Sequence, residues 1–307
     1  MPALKLPNLI IGGVHKAGTT SVFTYLAMHP DVCGSSIKEI GFFMSLKYGE
    51  PIASLEEYSK YWKHCEEEKR YRLEASPSYI YGKEIIAQRI QTDLGNDVKI
   101  IFIFRNPVDR LFSFYERKRA NSFLTENISF KNYVEKSVRM SETELNEHRE
   151  DEEALFIRGI REGFYIDYLP PWVQLFGDRL KIMFFEDLKN DTSAFMQEIC
   201  QWLGLDFGVY LPNDFRVENQ TIGYRNRWLH KTFLTINKKF EPFWRKNVQL
   251  KRTLRALYKG VNAEDKKREN MSDEDRNYLN NIYGPYNKRL AGFLKEKGIT
   301  RLPEWLI

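Results

Sequence analysis

Apolar residues fall in short runs, separated by breaks rich in polar residues, glycine or proline. Leu9 to Ile11 is closed by Gly12-Gly13, which predicts a buried strand. Thr19 to Met28 reads as a helix, with Val22, Phe23 and Leu26 able to share a face. His29-Pro30-Asp31 ends it. Tyr71 to Ala75 predicts a second strand, stopped by Ser76-Pro77. Val98 to Phe104 (VKIIFIF) is the clearest strand, since a continuous apolar run fits a central parallel strand covered on both faces. Arg105-Asn106-Pro107 stops that run. Pro107 suits the first turn of a helix running through Phe112 and Tyr115. Residues 125 to 153 are polar and acidic and predict a surface helix with loops. Leu180 to Phe185 predicts a further strand, and Thr192 to Leu203 a helix with Gly204 as its C-cap. From Arg225 onward the chain is basic and reads as helical. Strands alternating with helices predict an α/β fold around a central, mostly parallel sheet.

At 307 residues and 42% hydrophobic, the chain can bury one sizeable core. A single domain over 1–307 is expected, with the basic helical segment at about 225–270 forming part of it. The formal net charge of +5 suits a polyanionic ligand, and a solvated surface accounts for it equally well. Cys33, Cys65 and Cys200 are odd in number, widely spaced and without a CxxC. Neither a disulfide framework nor a zinc site is expected; reduced thiols in a cytosol-like compartment are. The apolar run in MPALKLPNLIIGG is too short for a signal segment or a membrane span, so no transmembrane segment is expected and a cytoplasmic location is.

Between the first strand and helix lies Val14-His15-Lys16-Ala17-Gly18-Thr19-Thr20-Ser21. A glycine-containing turn there points backbone N–H groups at an anion, and the helix N-terminus adds free donors and a positive dipole end. Thr19, Thr20 and Ser21 add hydroxyls, and Lys16 adds a full charge. The spacing of Gly13 and Gly18 matches a Walker A loop, but Thr19 occupies the lysine position. No Ser or Thr follows a lysine to hold magnesium, so no metal is expected. An ordinary strand-to-helix turn with an N-cap threonine is the plainer alternative.

A second anchor follows the central strand: Phe104-Arg105-Asn106-Pro107-Val108-Asp109-Arg110-Leu111-Phe112-Ser113. Arg105 stands at the strand's carboxyl end, the edge where open α/β sheets bind ligands. Ser113 lies two turns on. A guanidinium fork and a hydroxyl can grip a phosphate together. An arginine that merely ends the strand or pairs with Asp109 is the alternative.

With these segments in place, the sequence resembles the sulfotransferases that use 3′-phosphoadenosine-5′-phosphosulfate (PAPS), particularly the branch of heparan sulfate sulfotransferases and bacterial relatives. HKAGTTS looks like that family's 5′-phosphosulfate loop, and FRNPVDRLFS is similar to its 3′-phosphate segment. In order along the chain, Lys38 to Phe43 (KEIGFF), Arg161 to Tyr165 with Trp172, Phe185 to Leu188 (FEDL), Trp202 to Leu205 (WLGL) and Asn219 to Arg227 (NQTIGYRNR) resemble further family segments. The resemblance implies a P-loop-like three-layer fold. It implies that Lys16, Ala17, Gly18, Thr19, Thr20 and Ser21 hold the 5′ side of the cofactor, with Lys16 at the bridging oxygen. Arg105 and Ser113 would take the 3′-phosphate, and Arg225 and Arg227 would close over the nucleotide. Glu39 matches the family's general base, and His15, inside the loop, is a rival base.

The chain departs from the family in three ways. Gly41 stands where a histidine is usual, and Ala75 where some glycan-sulfating members carry a lysine. The late cysteine pair of Golgi members is absent. The first two weaken a heparan sulfate assignment, and the third favours a cytosolic, bacterial-type enzyme. The expected reaction moves a sulfuryl group to a hydroxyl or amine of a glycan or small natural product, leaving 3′,5′-adenosine bisphosphate. Lys16 would neutralise the leaving oxygen and Glu39 would take the acceptor proton. Rival readings are a P-loop kinase or nucleotidase, and a non-catalytic anion- or glycan-binding module. Arg225 to Arg268 interleaves basic residues with Trp228, Phe233, Phe240, Phe243, Trp244 and Tyr258. Such a stretch can meet sugars, nucleic acid or a membrane surface, or pack as an amphipathic helix. A nucleic-acid partner is not expected; peripheral membrane contact stays open.

Overall fold

The four apolar runs become strands of one sheet in a computed structural model, which describes residues 4–120, 124, 128–140, 152–211, 214–215, 223–224, 263–264 and 271–307. They are β1 (Leu9–Gly13), β3 (Tyr71–Ala75), β4 (Lys99–Phe104) and β5 (Leu180–Phe184), joined at the edge by β2 (Val32–Gly34). The order is β2-β3-β1-β4-β5, with every neighbouring pair parallel. All five carboxyl ends therefore meet one edge, as the α/β expectation requires. Connections lead from β1 toward β2 on one side and from β3 across to β4 on the other. The switch point of such a sheet lies beside β1 and β4, where ligands bind in open α/β folds.

β1 and β4 are central because their sequences tolerate burial on both faces. Leu9, Ile10 and Ile11 are fully buried, as are Ile100 to Phe104. Each such side chain contributes roughly 1.5–3 kcal/mol. Helices α1 (Thr19–Met28), α2 (Leu55–Ser59), α3 (Lys83–Leu94) and α4 (Pro107–Ala120) fall where turn residues allow, and α1 has its expected bounds. The short edge strand β2 carries no apolar run long enough to be read from sequence. Its Gly34 leaves room for a ring: a Cβ there would stand 2.9 Å from Phe23.

By internal contacts the chain divides into two units. Met1–Leu111, Arg158–Asn219 and Asn277–Ile307 form the first, which holds the sheet. The second comprises Phe112–Ile157 and Gln220–Arg276. In it, α5 (Phe130–Arg139) corrects the expectation of a plain surface helix. It buries Phe130, Tyr133 and Val134, and Phe130 meets Phe112 and Tyr115 ring to ring. The apolar positions 130, 133 and 134 make a helical stripe, which the surrounding polar residues mask in a composition count. Gly223–Tyr224 and Ala263–Glu264 form a two-stranded antiparallel pair. Most of the basic stretch, including Arg225 and Arg227, lies outside the described residues.

The cysteine expectation is corrected. Cys33 and Cys65 are joined in a disulfide, and Cys200 is a buried free thiol. The sequence hides the pair because 32 residues separate it, and only the edge position of β2 brings the two together. Among the described residues, no helix is long and apolar enough to cross a membrane.

Candidate active site

The first loop leaves β1 at the switch point. Lys16 sits at φ 69° and Gly18 at φ 78°, both in the left-handed region. For a lysine that conformation costs about 1–3 kcal/mol and persists only where the surroundings impose it. At Gly18 a Cβ would meet Leu188 Cδ2 at 2.5 Å and the Phe185 ring at 3.1 Å. The loop is thus pressed against α6 (Phe185–Asn190). α1 begins directly after Gly18 with no side-chain cap and no acidic residue in its first turn. Its first N–H groups and dipole end consequently face the loop, with Thr19 and Ser21 buried and Thr20 half-buried.

Arg105 meets this loop directly. Its Nη1 donates to the Lys16 carbonyl oxygen at 2.8 Å, and its guanidinium lies 4.6 Å from the centre of the Phe185 ring. Burial pushes the Arg105 pKa below its ordinary value, and the neighbouring Asp109 carboxylate opposes the shift. The Tyr165 hydroxyl holds the Arg105 carbonyl at 2.8 Å, and its ring stacks on Phe104. Asn106 starts α4 with its side chain accepting from Val108 N–H, and its own N–H donates to Glu186 at 2.9 Å. Ser113 is half-buried on α4 in the second unit.

Glu39 reaches the same sheet edge from the loop after β2. Its N–H donates to the Ala75 carbonyl at the end of β3, at 2.9 Å, and its φ is 63°. Its carboxylate is 55% exposed and bonded to Lys38 Nζ at 2.7 Å. Glu39 is thus paired with its neighbour Lys38 while its carboxylate stays open to solvent. His15 is half-buried, with its ring stacked on Tyr81 at 6.1 Å between centres, an arrangement that shapes the turn.

Behind Glu39 is a buried network absent from the sequence reading. Glu74 is fully buried in β3 and accepts from Ser76 Oγ at 2.6 Å, from the Tyr79 hydroxyl at 2.8 Å and from the Tyr58 hydroxyl. Ser76 Oγ in turn accepts from Gly41 N–H at 2.9 Å. Burial raises the Glu74 pKa, against the lowering effect of the three hydroxyl donors. The chain Glu74–Ser76–Gly41 fixes the segment carrying Glu39. A carboxylate within a strand that is otherwise buried was the available signal. Tyr165 and Glu186 were legible only as members of family-like segments, with no role attached.

The model of the sulfotransferase domain matches residues 6–293. The chain belongs to the sulfotransferase family. It is an enzyme of that class, whose general reaction is PAPS-dependent sulfuryl transfer. The sulfotransferase of Alicyclobacillus acidocaldarius has a similar fold. The TM-score is 0.67 at 22% identity, over 97% of this chain and 98% of that one. Human bifunctional heparan sulfate N-deacetylase/N-sulfotransferase 1 is 24% identical over 98% of this chain, and the Xenopus tropicalis protein of the same name is 25% identical. This sulfotransferase spans 31% of the length of those relatives.

Proposed function

We propose that this sulfotransferase moves a sulfuryl group from PAPS to a hydroxyl or amine of a carbohydrate or small-molecule acceptor, by in-line displacement. The observation that carries the reading is the Arg105–Lys16 contact, which draws two anion-binding segments to one sheet edge. The arrangement suits an adenosine bisphosphate. An uncapped helix N-terminus and a half-buried guanidinium each suit an anion, and the close packing of Gly18 on Leu188 holds the loop in place between them. The match over 6–293 supports reading both units as one sulfotransferase domain.

PAPS supplies an activated sulfuryl group on a good leaving anion. In this reading Lys16 and the loop from Ala17 through Ser21 hold the 5′ side, and Arg105 and Ser113 hold the 3′-phosphate. Arg225 and Arg227 would add to the nucleotide site from outside the described residues. Lys16 offsets charge as it builds on the leaving oxygen. Glu39 removes the acceptor proton, a contribution of about 10²–10⁴-fold. The named N-sulfotransferase activity of the heparan sulfate relatives supports including a sugar amine among the acceptors. The departures at Gly41 and Ala75 keep small natural products in the class.

The test incubates the protein with sulfur-labelled PAPS and a panel of amino sugars, glycans and phenolic or aliphatic alcohols, followed by mass spectrometry of labelled products. Transfer to one acceptor class, lost in Lys16→Ala, is expected. Nucleotide binding without transfer to any acceptor would instead favour a non-catalytic binding module.

A further inference from the structure

Away from the sheet edge, the described residues contain one convergent group of soft donors: Cys33, His64 and Cys65, with donor atoms within 4.8 Å of one another. Cys33 is half-buried on edge strand β2, Cys65 is buried in the segment before β3, and His64 is exposed. His64 Nε2 lies 3.5 Å from Cys33 Sγ and 3.8 Å from Cys65 Sγ. The imidazole thus faces both sulfurs of the disulfide, through one nitrogen.

These distances have a chemical meaning. With Zn–S of about 2.3 Å and Zn–N of about 2.0–2.1 Å, a tetrahedral centre has sulfur–nitrogen edges of about 3.6 Å. His64 already stands at that spacing from each sulfur. Only the sulfur–sulfur bond must open, to an edge of about 3.8 Å in the same geometry. Of the cations nearby, Lys5 pairs with Glu67 and Lys69 with Glu66, while Lys63 stands beside His64 and the run Glu66-Glu67-Glu68 follows Cys65. We propose that Cys33, His64 and Cys65 form a redox-gated zinc site, closed as a disulfide when oxidised and filled by Zn²⁺ when reduced.

The chemistry balances with a dithiol reductant. It gives two electrons and two protons to the Cys33–Cys65 bond, which breaks to two thiols, while the reductant closes to its own disulfide. Zn²⁺ then displaces both thiol protons to water and takes neutral His64 through Nε2. A water completes the tetrahedron on the exposed side. In either state β2 stays tied to the segment before β3.

The experiment uses the full chain carrying Cys200→Ser, reduced with a phosphine and titrated with zinc chloride against a chromogenic chelator. One zinc per chain is expected in the reduced protein and none in the oxidised protein. Cobalt(II) should give a thiolate charge-transfer band. Zinc should raise the Tm of the reduced protein toward that of the oxidised one. His64→Ala, which keeps both thiols, should weaken binding by about tenfold or more, since even supporting partners of metal ligands contribute 10–100-fold. Equal zinc affinity in reduced and oxidised protein would overturn the proposal. So would an affinity unaltered by His64→Ala, or cobalt binding without the thiolate band. The comparison of redox states needs no variant at the site, so a folding defect in His64→Ala leaves it decisive.

Discussion

Arg105 donates its Nη1 hydrogen to the Lys16 carbonyl at 2.8 Å, so the side chain at the end of β4 props the backbone of the loop after β1. The contact couples two tasks in one guanidinium. One edge orients the loop in its left-handed turn at Lys16, and the remaining donors stay available for a phosphate.

Lys16→Ala removes the charge without the carbonyl that Arg105 grips. Sulfuryl transfer should fall by about 10²–10³-fold, in line with losing one preorganised electrostatic partner of a developing oxyanion. Affinity for 3′,5′-adenosine bisphosphate should fall far less, because that product lacks the sulfuryl group. Steady-state rates beside calorimetric binding separate the two effects.

Glu39→Gln keeps the Ala75 backbone contact and the size of the side chain while removing the proton acceptor. The rate should drop by about 10²–10⁴-fold with nucleotide affinity unchanged. A Glu39→Gln enzyme of full activity would transfer the base assignment elsewhere, with His15 next to be substituted.

Gly18→Ala tests the cradle. The new methyl would stand 2.5 Å from Leu188 Cδ2 at a φ of 78°. Overpacking of this kind destabilises by about 1–3 kcal/mol. Chemical denaturation should show that loss, and nucleotide binding should weaken because the loop must move off α6.

Ser76→Ala removes both the donor to Glu74 and the acceptor for Gly41 N–H. Leaving buried polar groups unpaired costs about 1–3 kcal/mol. The Glu39 segment loses its tether, so kcat should fall while nucleotide affinity holds.

Glu74 also gives the stability a pH signature. Its folded pKa is raised above the ordinary 4.5 by burial. Between the unfolded and folded values the native state binds more protons than the unfolded chain, so stability declines as pH rises through that window. Its favourable contribution is complete below 4.5 and is lost as pH climbs past the folded value. Glu74→Gln should flatten that decline, measured as denaturation midpoints across a pH series.

The site was unevenly legible. Runs such as VKIIFIF announce a doubly covered strand, because both of its faces must be apolar, and Pro107 marks the following helix. Glycine, lysine and hydroxyl spacing marked the loop after β1 as a candidate anion cradle, with an ordinary strand-to-helix turn as the alternative. Three things were hidden. Strand β2 is too short to carry a period, and its partner Tyr71–Ala75 is far away in sequence. The Cys33–Cys65 pair depends on that same edge pairing. The Glu74 network needs hydroxyls from residues 58, 76 and 79 to converge on one carboxylate, which is a property of packing and not of local pattern.

The most direct measurement is calorimetric titration of the purified protein with 3′,5′-adenosine bisphosphate in the presence of a chelator. Metal-independent binding is expected, weakened in Arg105→Ala by about 10–100-fold, as the loss of a charged hydrogen-bond donor of roughly 1.5–3 kcal/mol implies. A wild-type protein that gives no binding heat with this nucleotide and resists its competition for PAPS, or one whose affinity is indifferent to Arg105→Ala, would contradict the two-segment site.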